Sequence, residues 1–172
     1  GQPDGTHIAF DSYRDGQSEI YVIDASGAHQ TRITWDAGPD INPTWSPDGK
    51  EIVFIREGDI YKIDLETRKV SPLLVTEDFL EAAPAWSPDG KWIAFIHYQQ
   101  LDNGNLVVMD SDGSRLKRIE TGMYFSGKGE IDWSTDGEKI TLTAGNRCGN
   151  IYEVDLKSNL VRRLVDTLAD EG

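Results

Sequence analysis

Trp45-Ser46-Pro47-Asp48-Gly49-Lys50, followed by Glu51-Ile52-Val53-Phe54-Ile55, is the stretch on which the reading of this chain turns. Pro47 fixes its own φ, Asp48 bonds to nearby backbone and Gly49 tolerates a positive φ, so Pro-Asp-Gly is a turn. A turn of this kind suits a hairpin with a glycine bulge. The unbroken Ile52-Val53-Phe54-Ile55 predicts a strand buried on both faces, as in a sheet stacked between two others. Upstream, Asn42 to Ser46 reads as a short strand. Downstream, Gly58 breaks the chain, Ile60 to Asp64 forms a third strand and Glu66-Thr67-Arg68 turns. Val70 to Val75 is a fourth strand, and its Pro72 places it at a sheet edge because proline cannot donate a ladder hydrogen bond.

The same punctuation recurs at Pro3-Asp4-Gly5, at Trp86-Ser87-Pro88-Asp89-Gly90 and at Trp133-Ser134-Thr135-Asp136-Gly137. Each copy is followed by an apolar triplet: Ile8-Ala9-Phe10, Ile93-Ala94-Phe95 and Ile140-Thr141-Leu142. Each then has a run ending in aspartate, at Asp24, Asp64, Asp110 and Asp155. A period of about 40 to 50 residues marks a repeat architecture in which no unit buries its faces alone. The fourth strands, such as Leu116-Lys117-Arg118-Ile119 and Val161-Arg162-Arg163-Leu164, concentrate charge, which protects a sheet edge from stray pairing. Four antiparallel strands per unit, buried inside and charged at the rim, define all-β propeller blades. The expected organisation is one array over 1–172, with repeats at about 1–34, 35–75, 76–120 and 121–172 and a first blade lacking its innermost strand. Three arrangements are open: part of a larger ring, half of an eight-bladed ring completed by a second copy, or closure as four blades.

Seventeen Lys and Arg against 30 Asp and Glu give a net charge of −13. That disfavours nucleic acid, which needs a basic surface, and suits a basic partner or a cation. Cys148 is the only cysteine, so no intrachain disulfide forms. No apolar run approaches the roughly 18 residues of a membrane span, and no signal peptide is present.

The string W-S-P-D-G-K, then I-A-F, then E-I-Y-V-I-D (Glu19 to Asp24), then T-R-I-T (Thr31 to Thr34) resembles the TolB-type propeller repeat family. That repeat is shared with the propellers of tricorn and prolyl-oligopeptidase-like proteins. The resemblance covers essentially the whole chain. The last copy departs from it at Thr135 and Thr141-Leu142-Thr143. It implies a non-catalytic scaffold in the periplasm that docks an envelope lipoprotein. It also leaves two alternatives: the propeller part of a larger prolyl-oligopeptidase-like hydrolase, or a sugar-active propeller such as an oligogalacturonate lyase. The first alternative needs G-x-S-x-G in a further domain, and the second needs a histidine-rich metal site.

In propellers of this type the loops joining fourth to first strands open around the channel. Here they are expected to hold Trp35, Asp36 and Asp40; then Glu77, Asp78, Phe79, Leu80 and Glu81; then Met123, Tyr124, Phe125, Lys128 and Glu130. Aromatic residues in a polar surround are typical interface anchors. The candidate partner-binding residues are therefore Trp35, Asp40, Phe79, Glu81, Tyr124 and Phe125. The alternative is that these rings pack loops onto blades. Asp40 and Glu81 each lie five residues before the repeat tryptophan, a position taken later by Lys128. Converging carboxylates suit a hard cation such as calcium, or channel water, and Lys128 would offset their charge. No cofactor is otherwise expected. His7, His29 and His97 lack metal spacing, and no H-E-x-x-H, C-x-x-C, G-x-S-x-G or phosphate loop is present.

Overall fold

The computed structural model describes residues 1–99, 102–119, 121, 129–144 and 150–165, in two compact units, Gly1–Glu77 and Asp78–Gly172. The first unit holds two antiparallel sheets. One has three strands, β1 (His7–Ser12), β2 (Glu19–Asp24) and β3 (Thr31–Arg32), in that order. The other has four: β4 (Asp40–Trp45), β5 (Glu51–Arg56), β6 (Asp59–Asp64) and β7 (Val70–Leu74). The second unit repeats the four-stranded pattern twice. Its first sheet is β8 (Phe79–Trp86), β9 (Trp92–Gln99), β10 (Asp102–Asp110) and β11 (Lys117–Ile119). Its second is β12 (Ile131–Trp133), β13 (Lys139–Ala144), β14 (Asn150–Asp155) and β15 (Val161–Val165).

Burial follows the order expected from sequence. Ile52, Val53 and Phe54 on β5, and Ile93, Ala94 and Phe95 on β9, are fully buried. The matching Ile8 of β1 is 45% exposed, at the edge where the three-stranded sheet has no further strand. In the first unit Ile20, Ile33, Trp45, Ile52, Phe54 and Ile63 form the core between the sheets. In the second, Ala94, Ile96, Leu106 and Val108 of one sheet meet Ile140, Leu142 and Val154 of the other.

The repeated turn is held by three hydrogen bonds that explain its residues. The Ser46 hydroxyl donates to the Asp48 carboxylate at 2.7 Å and accepts from the Glu51 N–H at 2.9 Å, while the Lys50 N–H donates to Asp48 at 3.1 Å. Ser87 with Asp89 and Ser134 with Asp136 repeat it at 2.7 and 2.6 Å. Thr135 in place of proline leaves these bonds intact, because the serine and aspartate carry them. The serine hydroxyl is the main cause holding Asp48, Asp89 and Asp136 below the usual carboxylate range. Asp64 and Asp155 play a second turn role: each accepts a backbone N–H, from Thr67 at 2.7 Å and from Ser158 at 2.8 Å.

The first strands are longer than the sequence suggests. β4 begins at Asp40 and β8 at Phe79, and both pass through a β-bulge. Asn42 and Pro43 together oppose Phe54, between the Ile41–Ile55 and Thr44–Val53 pairs. Ala83 and Pro84 oppose Phe95 in the same way. Asn42 and Ala83 have φ of 54° and 51°, a left-handed conformation that absorbs the extra residue. Asp40, Phe79, Leu80 and Glu81 are therefore strand residues and not loop residues.

Candidate partner-binding face

The bulge sets where the acidic candidates point. Asp40 pairs in register with Arg56 at the end of β5. Its side chain is fully buried and receives the guanidinium on both oxygens, Nε to Oδ1 at 2.7 Å and Nη2 to Oδ2 at 2.8 Å. Asp36 adds a third carboxylate contact at 2.7 Å from Nη2. The guanidinium lies 5.3 Å from the Phe54 ring centroid and 4.9 Å from that of Tyr61. Burial pulls the Arg56 pKa down, but Asp40 and Asp36 outweigh it and the net direction is upward. Asp40 is thus charge-compensated by the protein itself.

Glu81 takes the same place in the next sheet, opposite His97 of β9. Its carboxylate is buried and lies 2.9 Å from His97 Nδ1. The His97 ring stacks on Phe79 with centroids 4.3 Å apart and meets Phe95 edge-on at 6.4 Å. Phe79 is half-buried, and its neighbour Leu80 is 43% exposed.

Trp35 differs from these. It follows β3, is 65% exposed, and has the Arg32 guanidinium 5.9 Å from its ring centroid. Arg32 is tied beneath it to buried Glu19, and the Thr34 hydroxyl donates to Glu19 at 2.7 Å. Val75 (57% exposed) and Ile41 are further exposed apolar side chains of the first unit. Val75 directly follows β7, so the topology puts it at the same strand end as Trp35. Tyr124, Phe125 and Lys128 lie outside the described residues, while Glu130 bonds through its N–H to the Thr143 hydroxyl at 3.0 Å.

Sequence reasoning missed Glu19, Arg32, Arg56 and His97. The legible signal was a basic residue directly after the apolar run of the second strand, Arg56 and His97, one strand away from an acid at a fixed distance before the tryptophan. Among the described residues no group of three or more His, Cys, Asp or Glu side chains is placed to hold a metal ion. Asp40 faces the Arg56 guanidinium and Glu81 faces the His97 imidazole, each within its own sheet.

Stacked antiparallel sheets with buried second strands and charged fourth strands are the blades of a β-propeller. Residues 2–78 match the family model of the TolB beta propeller domain, PD40. It is 33% identical over 78 residues to the Tol-Pal system protein TolB of Francisella tularensis subsp. mediasiatica, a stretch covering 42% of this chain and 18% of that protein. The structure of TolB from Acinetobacter baumannii is similar with a TM-score of 0.78 at 24% identity, over 97% of this chain and 43% of that one. A protein of Agrobacterium tumefaciens assigned as TolB gives 0.80 at 24% identity, over 96% and 63%. The chain thus spans less than two thirds of the length of these relatives. No helix among the described residues is long and apolar enough to cross a membrane.

Proposed function

We propose that this chain is a non-catalytic, TolB-like propeller module that binds a protein or peptide at the strand ends carrying Trp35. The observation behind the proposal is Trp35 itself. An indole left 65% exposed beside a fixed arginine is the kind of anchor protein interfaces use. Phe79, Tyr124 and Phe125 are the proposed partner-binding aromatic residues of the later repeats. Asp40 and Glu81 are buried struts, each at the strand ends of its own sheet, and a calcium ion on either is disfavoured by Arg56 or His97 beside it. The whole of 1–172 acts as one array in this reading, and a second copy completing an eight-bladed ring is part of it.

The Tol-Pal system named for the relatives motivates the choice of partner, a protein of that system in the periplasm. The test is binding of Tol-Pal system proteins by wild type, Trp35→Ala, Phe79→Ala and Tyr124→Ala, with thermal unfolding alongside. The reading expects at least tenfold weaker binding with little change in Tm. Equal losses of binding and stability would assign the rings to packing instead. Light scattering tests the ring: twice the 19.2 kDa chain mass supports a second copy, and 19.2 kDa rejects it.

A further inference from the structure

The two units carry the same groove at the same repeat positions, and the two grooves differ in the side chains that line the mouth. Both grooves lie between neighbouring sheets of one unit, at the strand ends that carry the Ser-x-Asp turns. In the second unit this is the opposite end of the strands from Phe79.

In the first unit the groove measures about 320 Å³ and is floored by Val22, Ile33, Trp45 and Leu65. Polar side chains occupy its mouth. His7 Nδ1 lies 2.7 Å from Gln2 Oε1, and His7 Nε2 lies 3.3 Å from Asp24. His29 closes on the other Asp24 oxygen at 2.6 Å.

In the second unit the groove measures about 420 Å³, and its floor is the corresponding Val108, Ile119, Trp133 and Leu156. Trp92 stands where His7 stood, each directly before the apolar triplet of its repeat. It is 36% exposed and forms a wall. Trp133 is fixed opposite, because its indole N–H donates to the Ala85 carbonyl at 3.0 Å. Lys117 stands in place of Thr31, directly across the ladder from Val108. Of the two lysines at this groove, Lys157 is ion-paired with Glu138, a contact that raises the Lys157 pKa. Lys117 has no carboxylate partner among the described residues, so the groove carries one uncompensated positive charge on a chain of net charge −13.

We infer that the Trp92–Trp133 groove is a second docking site, which takes an acidic peptide segment: one aromatic or branched aliphatic side chain enters between the tryptophans and a neighbouring carboxylate pairs with Lys117. The volume lies in the range of ligand pockets, roughly 300–1,000 Å³, and accommodates such a side chain with its flanking backbone. Apolar walls with one placed charge give both the contact area and the orientation of the segment.

The probe is acetyl-Glu-Phe-Glu-amide, titrated into the isotope-labelled full chain and followed by amide resonances. Acetyl-Gln-Phe-Gln-amide and acetyl-Glu-Gly-Glu-amide are the controls. The acidic aromatic peptide should shift residues 92, 108, 117, 119, 133 and 157. It should bind about twofold to fivefold tighter than the neutral one, with the difference fading in high salt. The peptide without a ring should not bind. Lys117→Glu should reverse the preference for acidic over neutral peptide, and Trp92→Ala should lose both. Lys117 is exposed, so its variant tests the site even if Trp92→Ala unfolds. Equal binding of acidic and neutral peptides overturns the inference. So do shifts confined to the Trp35 and Phe79 strand ends, and so does a peptide-independent dimer that buries Trp92, which would make a second copy the occupant. Because the groove and the Trp35 face lie on different strand ends, loss of one leaves the other standing.

Discussion

Asp40 with Arg56 and Glu81 with His97 occupy the same register in consecutive sheets, yet they are built differently. In the second sheet a bidentate carboxylate–guanidinium pair is backed by a further carboxylate, Asp36, and by two aromatic rings. In the third, the carboxylate lies 2.9 Å from the Nδ1 of an imidazole that is also stacked on Phe79. Both tie the first strand to the second beyond the bulge. The position therefore demands an acid on one strand and a nitrogen donor on the other. The identity of the donor is free to vary. A repeat position that looks like a ring of metal ligands in sequence is a set of local struts in three dimensions.

The largest effect should come from breaking the stronger strut. Arg56→Met keeps the side-chain volume but leaves Asp40 buried without its counter-charge, which costs about 3–5 kcal/mol. Urea unfolding followed by tryptophan fluorescence measures it. A loss under 1 kcal/mol would show that Asp40 is solvated and that the comparison is wrong. His97→Phe preserves the stack on Phe79 and removes one buried hydrogen bond. A smaller cost of about 1–3 kcal/mol is expected. If His97→Phe proves as damaging as Arg56→Met, the two struts are equivalent and the guanidinium geometry is irrelevant.

Most of the architecture was legible because turn chemistry is local. Trp-Ser-x-Asp-Gly names a hairpin, and the following apolar triplet names a strand covered on both faces. What escaped was the stretch before each tryptophan. The first strand of the second repeat read as starting at Asn42, and the bulge that lets it and its counterpart in the next repeat begin earlier and run on through Pro43 and Pro84 depends on left-handed Asn42 and Ala83, a conformation alanine rarely adopts. With the bulge unseen, Asp40 and Glu81 looked like loop carboxylates free to converge. Their partners, Arg56 and His97, could be found only once the cross-strand register was known. Trp35 was named in the sequence for its place in the loop after a fourth strand, and the structure leaves it exposed there. The Trp92–Trp133 groove was not, since Trp92 sits where the other repeats carry His7, Glu51 and Lys139, and nothing in one sequence says which copy departs for function.

A pH titration sharpens the contrast between struts and turns. Asp48, Asp89 and Asp136 have pKa values lowered in the folded chain, chiefly by their serine hydroxyls. Their contribution is therefore fully present above the unfolded value of about 3.9 and is lost as pH falls through the lower folded values. The Asp48→Asn, Asp89→Asn, Asp136→Asn triple variant should show a shallower fall in stability with acid than wild type, with Tm followed from neutral pH down to about 3. An unchanged slope would mean that the turn carboxylates bind their protons equally in both states.

The smallest effect separates the repeat tryptophans from one another. Trp133 donates its indole N–H to the Ala85 carbonyl at 3.0 Å, while the indole N–H groups of Trp45 and Trp86 are buried without a partner among the described residues. Replacement by phenylalanine removes similar apolar area at all three positions. Only at Trp133 does it also remove a hydrogen bond and leave a carbonyl without its donor. Trp133→Phe should therefore cost about 1 kcal/mol more than Trp45→Phe, a difference set by the bond and not by packing. For Trp45 the acceptor equivalent to Ala85 would lie on a strand beside β1, at the edge where Ile8 stands exposed. If Trp45→Phe costs as much as Trp133→Phe, the Trp45 indole is already satisfied in solution, and the β1 edge is covered there by something that pairs with it.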